Sequence, residues 1–280
     1  MKIGISSDYY QNPNTGMIDY EKMGRHGYEC VDYDGLCNTA GPLYQMDEEA
    51  LQSAMTAEKQ RANAAGIQVG QVHGPWPVDD TSAEKRAVNM EYFKRCVRAT
   101  AYLDGKNLVV HPMMPYGWGA EDDKETALQI NTDFLTELAA YAKPYGVTVC
   151  LENMPFKAHT LSPVPAIAAF VKKLDIDNLR ICLDTGHSNL YPDNIGDMVR
   201  ACGSYLQTLH VHDNHGESDE HQIPYLGNID WAAFRQALKD VNYQGCMSFE
   251  ICFRCACPPD IMEDIQVTAA GIARKMTYLY

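Results

Sequence analysis

Eight short apolar runs recur along this 280-residue chain, and a longer amphipathic run follows each of them. The short runs fall at 2–6, 29–33, 67–73, 107–111, 147–152, 179–184, 208–213 and 246–251. They have strand length. The longer runs fall at 18–26, 47–65, 82–103, 122–142, 164–173, 195–202, 231–241 and 259–278. Several carry helix punctuation. Ser82 and Asp230 stand where a cap belongs, Glu48 and Glu49 sit in a first turn, and Gly27, Gly66 and Gly146 follow as stops. Strands apolar on both faces and joined by helices belong in a parallel sheet covered by those helices. Eight such units predict an α/β fold, a single (β/α)8 TIM barrel. An open doubly wound sheet would carry a Gly-rich phosphate loop after its first strand. Here that strand leads into Ser7-Asp8-Tyr9-Tyr10. No linker or low-complexity stretch interrupts the alternation, so residues 1–280 read as one domain.

The formal net charge of −14 argues against nucleic acid as a partner, since tight binding needs a basic footprint. No stretch approaches the ~20 apolar residues of a membrane span. Met1-Lys2-Ile3-Gly4-Ile5-Ser6 begins directly as a strand, without the apolar core of a signal peptide. The cytoplasm is therefore the expected compartment. The ten cysteines are mostly spread out, and several sit in apolar runs, the usage of small hydrophobes under reducing conditions. Cys252, Cys255 and Cys257 cluster, but no second pair completes a thiolate metal site.

In a (β/α)8 barrel the chemistry sits where strands end. Six consecutive expected strands here end in a His or an acid: His73, His111, Glu152, Asp184, His210 and Glu250. His187 lies three residues after Asp184, and the loop after the seventh strand carries Asp219 and His221. His210 and His212 alternate with Leu209 and Val211, which puts both rings on one strand face. One polar residue at a strand end is ordinary. Three acids and several imidazoles around one axis imply a bound cation, because buried carboxylates are costly without one. Donors of this kind suit Mn, Zn, Co, Fe or Mg. Glu152, Asp184, His210 and Glu250 make the first site. His73 and His111, bridged by Glu152, could hold a second ion, and His187, Asp219 and His221 a third. Trp76, Tyr116 and Trp118 are candidates for a pocket wall.

The strand ends, the Asp-Thr-Gly-His at 184–187 and the Asp-x-His at 219–221 resemble the xylose isomerase-like barrel superfamily. That superfamily includes sugar isomerases and epimerases and the endonuclease IV family of DNA repair. The resemblance covers nearly the whole chain. In ketose 3-epimerases, positions matching Glu152, Asp184, His210 and Glu250 hold one metal, and the two glutamates are the acid/base pair. The resemblance also places the histidine ligand three residues before the strand-end acid Asp213, which favours His210 over His212. In endonuclease IV, positions matching all nine acids and imidazoles named above, without His212, bind three zinc ions. The resemblance thus implies one to three divalent ions and, for an epimerase, proton transfer through a metal-bound enediolate. The loop after His73 is acidic and the loop after His111 is apolar and aromatic. Such loops suit a small sugar, phosphorylated or not, better than a DNA backbone. The expectation is a metal-dependent sugar isomerase or epimerase. An endonuclease IV-like phosphodiesterase and a sugar lyase or dehydratase are the alternatives. Homo-oligomerisation is left open.

Overall fold

The computed structural model describes residues 1–12, 15–252 and 257–277. Its strands are β1 (Lys2–Ser6), β2 (Cys30–Tyr33), β3 (Gln68–His73), β4 (Asn107–Val110), β5 (Thr148–Glu152), β6 (Leu179–Asp184), β7 (Leu206–His210) and β8 (Cys246–Phe249). The main helices between and after them are α1 (Tyr20–His26), α2 (Glu48–Ala64), α3 (Ala83–Tyr102), α4 (Lys124–Ala142), α5 (Val164–Leu174), α6 (Ile195–Cys202), α7 (Trp231–Asp240) and α8 (Pro259–Thr277). Strands β1 to β6 each pair in parallel with the next, and β1 also pairs with β8. Val211 closes the ring against β8. Its N–H donates to Ser248 O at 2.8 Å, and its carbonyl accepts from Glu250 N at 3.2 Å. The (β/α)8 barrel read from the alternation is the observed fold.

The core lies between strands and helices. Helix α3 buries Phe93, Cys96, Val97 and Thr100, and α4 buries Phe134, Leu135 and Leu138, the stripe that a 3.6-residue period produces. Phe93 meets Phe134 edge-on at 5.0 Å between ring centroids. Each such buried side chain is worth roughly 1.5–3 kcal/mol relative to exposure. Inside the barrel, Val109, Cys150 and Cys182 pack as a small apolar cluster. Cys150 and Cys182 are thus the buried hydrophobes expected, whereas Cys252 is exposed, because β8 ends at Phe249 and the chain then leaves the sheet. Cys255, part of the cysteine cluster considered above, lies outside the described residues.

Most element boundaries fall within two residues of the reading. The seventh strand instead spans Leu206–His210, not 208–213, because Val211 turns to bridge β8 and Asp213 pairs with Gln222 in the following loop. The first helix starts at Tyr20, where the Asp19 carboxylate accepts from Lys22 N and caps it. The expected caps at Ser82 and Asp230 are made, accepting from Lys85 N and Ala233 N. A one-turn helix, Thr185–Asn189, was not anticipated. No described helix is long and apolar enough to cross a membrane.

Candidate active and metal site

The strand ends meet at one mouth. Among the described residues, five sets of potential ligand atoms there each lie within 4.8 Å of one another: Glu152, Asp184, His210 and Glu250; His73, His111 and Glu152; His73, His210 and Glu250; Glu152, Cys182 and His210; and His187, His212, Asp219 and His221. The register explains the first set. The β6–β7 pairing shifts between Ile181 and Cys182, and the shift brings Asp184 level with His210. Such irregularities re-aim side chains next to active sites.

Glu152 is the hub. It is 1% exposed. Its Oε1 lies 2.8 Å from His210 Nδ1, and its Oε2 lies 3.1 Å from His111 Nε2 and 3.8 Å from His73 Nε2. Burial alone would raise its pKa, but the imidazoles of His210 and His111 outweigh that and hold the carboxyl well below its ordinary range. Glu250, with its side chain 23% exposed, approaches the same His210 Nδ1 at 3.3 Å. Asp184 is fully buried; Oδ1 accepts from His187 N at 2.6 Å, capping the one-turn helix, and Oδ2 lies 2.9 Å from His212 Nε2. A Cβ at Gly186 would overlap the His212 ring, so only glycine lets that ring reach Asp184.

Several imidazoles are anchored by their outer nitrogen. Nδ1 of His73 meets Gly74 O, Nδ1 of His187 meets Asn153 O and Nδ1 of His221 meets Glu250 O, each at 2.8 Å. A carbonyl only accepts, so each ring donates from Nδ1 and turns Nε2 toward the acids. Nε2 of His187 and of His221 lie 3.4 and 3.0 Å from Asp219. Burial opposes the charged form of His187, but Asp184 and Asp219 prevail and raise its pKa to about 10; His221 is raised to about 9 by the same contest. His111 shows the other outcome, with burial bringing it down to about 4.

The donor set fits a divalent cation. Among the described residues, the ion pairs of Glu152, Asp184 and Glu250 run to imidazoles and none to Lys or Arg. His111 Nδ1 and His212 Nδ1 are buried without a hydrogen-bond partner. Carboxylates this deep need a countercharge; burial pushes the neighbouring Cys182 thiol up to about 12, and the oxygen and imidazole donors that remain are a set that Mn, Zn, Fe or Co take.

All nine acids and imidazoles singled out in the sequence lie in these clusters. His212, ranked below His210, joins them too, but in the group of His187, Asp219 and His221, where its ring stacks on His221 at 4.0 Å. Trp76 stands edge-on to His111 at 4.5 Å and stacks on Trp118 at 5.0 Å, forming an aromatic wall beside the mouth. Tyr116 is 43% exposed and stands outside that stack. The reading of strand ends missed Asp32 on β2, whose Oδ2 lies 2.8 Å from His210 Nε2. The alternation of Asp32 and Asp34 with Val31 and Tyr33 puts both acids on one side of the chain but does not pair either with His210. It also missed Phe156, which packs against Trp76 at 6.2 Å.

The comparisons agree with the fold. A D-psicose 3-epimerase of Agrobacterium fabrum is 26% identical over 258 residues, 89% of this chain and 84% of that protein. The structure of a D-psicose 3-epimerase with D-tagatose from Clostridium cellulolyticum H10 superposes with a TM-score of 0.81 over 99% of both chains at 22% identity, a likeness of fold. So does that of the IOLI protein with a binding zinc atom, with a TM-score of 0.76 at 22% identity over 99% of this chain and 96% of that one. The family model of the xylose isomerase-like TIM barrel matches residues 20–272, and the chain belongs to that family.

Proposed function

We propose that residues 1–280 form one domain, a divalent-metal-dependent epimerase or isomerase of a small sugar or sugar phosphate, with Glu152 and Glu250 as its proton-transfer pair. The observation that carries this reading is the approach of both glutamates to one imidazole nitrogen, His210 Nδ1, from β5 and from the end of β8. The sugar 3-epimerases among its relatives support it. Glu152, Asp184, His210 and Glu250 would hold the cation. When bound, it would polarise a sugar carbonyl and so acidify the neighbouring C–H. One glutamate takes that proton and the other returns one to the opposite face for epimerisation. Glu152 is held ionised by its imidazoles, and Glu250 has the open side on which to meet solvent. His187 would bind or polarise a substrate oxygen if no further ion occupies its group. Trp76 and the Trp118 ring stacked on it would form one wall of the pocket.

Glu→Gln at either site keeps size and one ligand oxygen while removing the base. Loss of a general base costs ~10²–10⁴ in rate. Glu152→Gln and Glu250→Gln are expected to retain metal and to lose deuterium incorporation from D2O into ketoses by that factor. Wild-type exchange in either variant would reduce that glutamate to a structural role.

One observation favours a second reading. The additional clusters, at His73 and His111 and at His187, His212, Asp219 and His221, could hold further ions, as metal-assisted phosphodiester cleavage requires. At −14 the chain lacks the surface that neutralises phosphates. No incision of an abasic-site duplex is expected at physiological salt. Incision that depends on His73 and His111 would favour the second reading.

A further inference from the structure

We propose that Asp32 is the positioning residue of His210, holding its ring with Nδ1 toward the cation and Nε2–H toward β2. The inference rests on the metal reading above. His73, His187 and His221 each spend Nδ1 on a backbone carbonyl and face the acids through Nε2. His210 is oriented the other way. Its Nδ1 is the atom shared by Glu152 and Glu250, and its Nε2 points away from them to Asp32 Oδ2 at 2.8 Å. Its outer anchor is a carboxylate, not a neutral carbonyl. A carboxylate fixes the tautomer and increases the electron density that the opposite nitrogen gives to a metal.

Asp32 stands beside the ligand groups rather than in them. It is 1% exposed and belongs to none of the groups whose donor atoms could share an ion. The β2–β3 register shifts between Val31 and Asp32, and the shift sets Asp32 opposite Gln71. Gln71 Nε2 then donates to the same Oδ2 at 2.6 Å and reaches Leu209 O, next to His210, at 3.3 Å. The chain Gln71–Asp32–His210 thus ties β3, β2 and β7 across the barrel interior. Its effect is to present one imidazole nitrogen, already oriented, between two glutamates.

The test is Zn²⁺ affinity by competition with a chromophoric chelator, for wild type and Asp32→Asn. The variant keeps the shape and removes the charge. Loss of such a partner weakens metal binding by roughly 10–100-fold, and that rise in Kd is expected here with the thermal midpoint of the metal-free protein recorded as a fold control. Imidazole ¹⁵N shifts of the Zn²⁺-loaded wild type should show His210 metallated at Nδ1 and protonated at Nε2. Metallation at Nε2, or an Asp32→Asn Kd equal to wild type, overturns the proposal. Should Asp32→Asn fail to fold, the ¹⁵N shifts of the Zn²⁺-loaded wild type decide alone, and a His210 that is not metallated at Nδ1 and protonated at Nε2 overturns the proposal. A wild-type protein that takes up no Zn²⁺ removes the metal reading and this inference together, whereas a wild type that binds while Asp32→Asn binds equally removes this inference alone.

Discussion

Replacing Asp213 with alanine should cost the protein about 3–5 kcal/mol of stability and release the loop that carries Asp219 and His221. Asp213 is fully buried. Its Oδ1 accepts from Asn214 N at 3.0 Å and Ile229 N at 3.2 Å; its Oδ2 accepts from Tyr225 N at 2.9 Å and Trp231 Nε1 at 2.8 Å. A Cβ at Gly227 would overlap both Asn214 O and Asp213 Oδ1, so the loop closes around the carboxylate only with glycine there. Hydrogen bonds to a charged group contribute roughly 1.5–3 kcal/mol each, which sets an upper bound of about 6–12 for the four. Two effects reduce it. The freed loop donors reach water once the loop opens. His221 at φ +52° and Tyr225 at φ +76° also relax, returning roughly 1–3 kcal/mol each. Asp213→Asn keeps one acceptor oxygen and should lose about 2–3 kcal/mol. Urea unfolding followed by far-ultraviolet circular dichroism measures both variants, and proteolysis within 214–230 reports the loop. An Asp213→Ala protein within about 1 kcal/mol of wild type, with a loop as resistant as before, would refute the argument that this carboxylate organises it.

Two further outcomes are expected. Burial raises the pKa of Asp80 from 3.8 to about 6, so the folded state keeps a proton that the unfolded state gives up. Its contribution is fully present below pH 3.8 and is lost as pH rises through about 6. The unfolding free energy of wild type minus that of Asp80→Asn should therefore fall by about 3 kcal/mol between those limits; a difference independent of pH would contradict the assignment. Adding Mn²⁺ or Zn²⁺ to chelator-stripped protein at a hundredfold excess over Kd should stabilise it by about 2.7 kcal/mol, seen as a raised thermal midpoint that falls again with chelator. No midpoint change on addition or removal would count against a cation at the four-residue site.

What the sequence made legible, and what it hid, divides along the physics of strand pairing. The period of two and the uniform ends of the later strands placed His73, His111, Glu152, Asp184, His210 and Glu250 together, because in a parallel barrel every strand end reaches the same mouth. The one-residue alternation also put His210 and His212 on a common face, and both do point inward. It could not separate them. His210 enters the group with Glu152 and Glu250, and His212 the group with Asp219 and His221. That separation depends on the chain leaving β7 after His210, with Val211 bridging β8 and Asp213 closing the loop.

Asp32 was hidden for a related reason. Read as a regular strand, 29–33 ends at Tyr33, and Asp32 looks like an ordinary polar residue one step from the edge. The register shift at Val31/Asp32 carries it opposite Gln71 instead, as the shift at Ile181/Cys182 carries Asp184 opposite His210. A one-residue shift changes which cross-strand residue each side chain meets, and no composition or periodicity records it. Both shifts lie in strands that supply the mouth, and both end with a carboxylate beside an imidazole. The donors can therefore be recognised from residue type and alternation. The orientation of each imidazole, which decides the nitrogen it offers to a cation, is set by pairing between strands far apart in the chain.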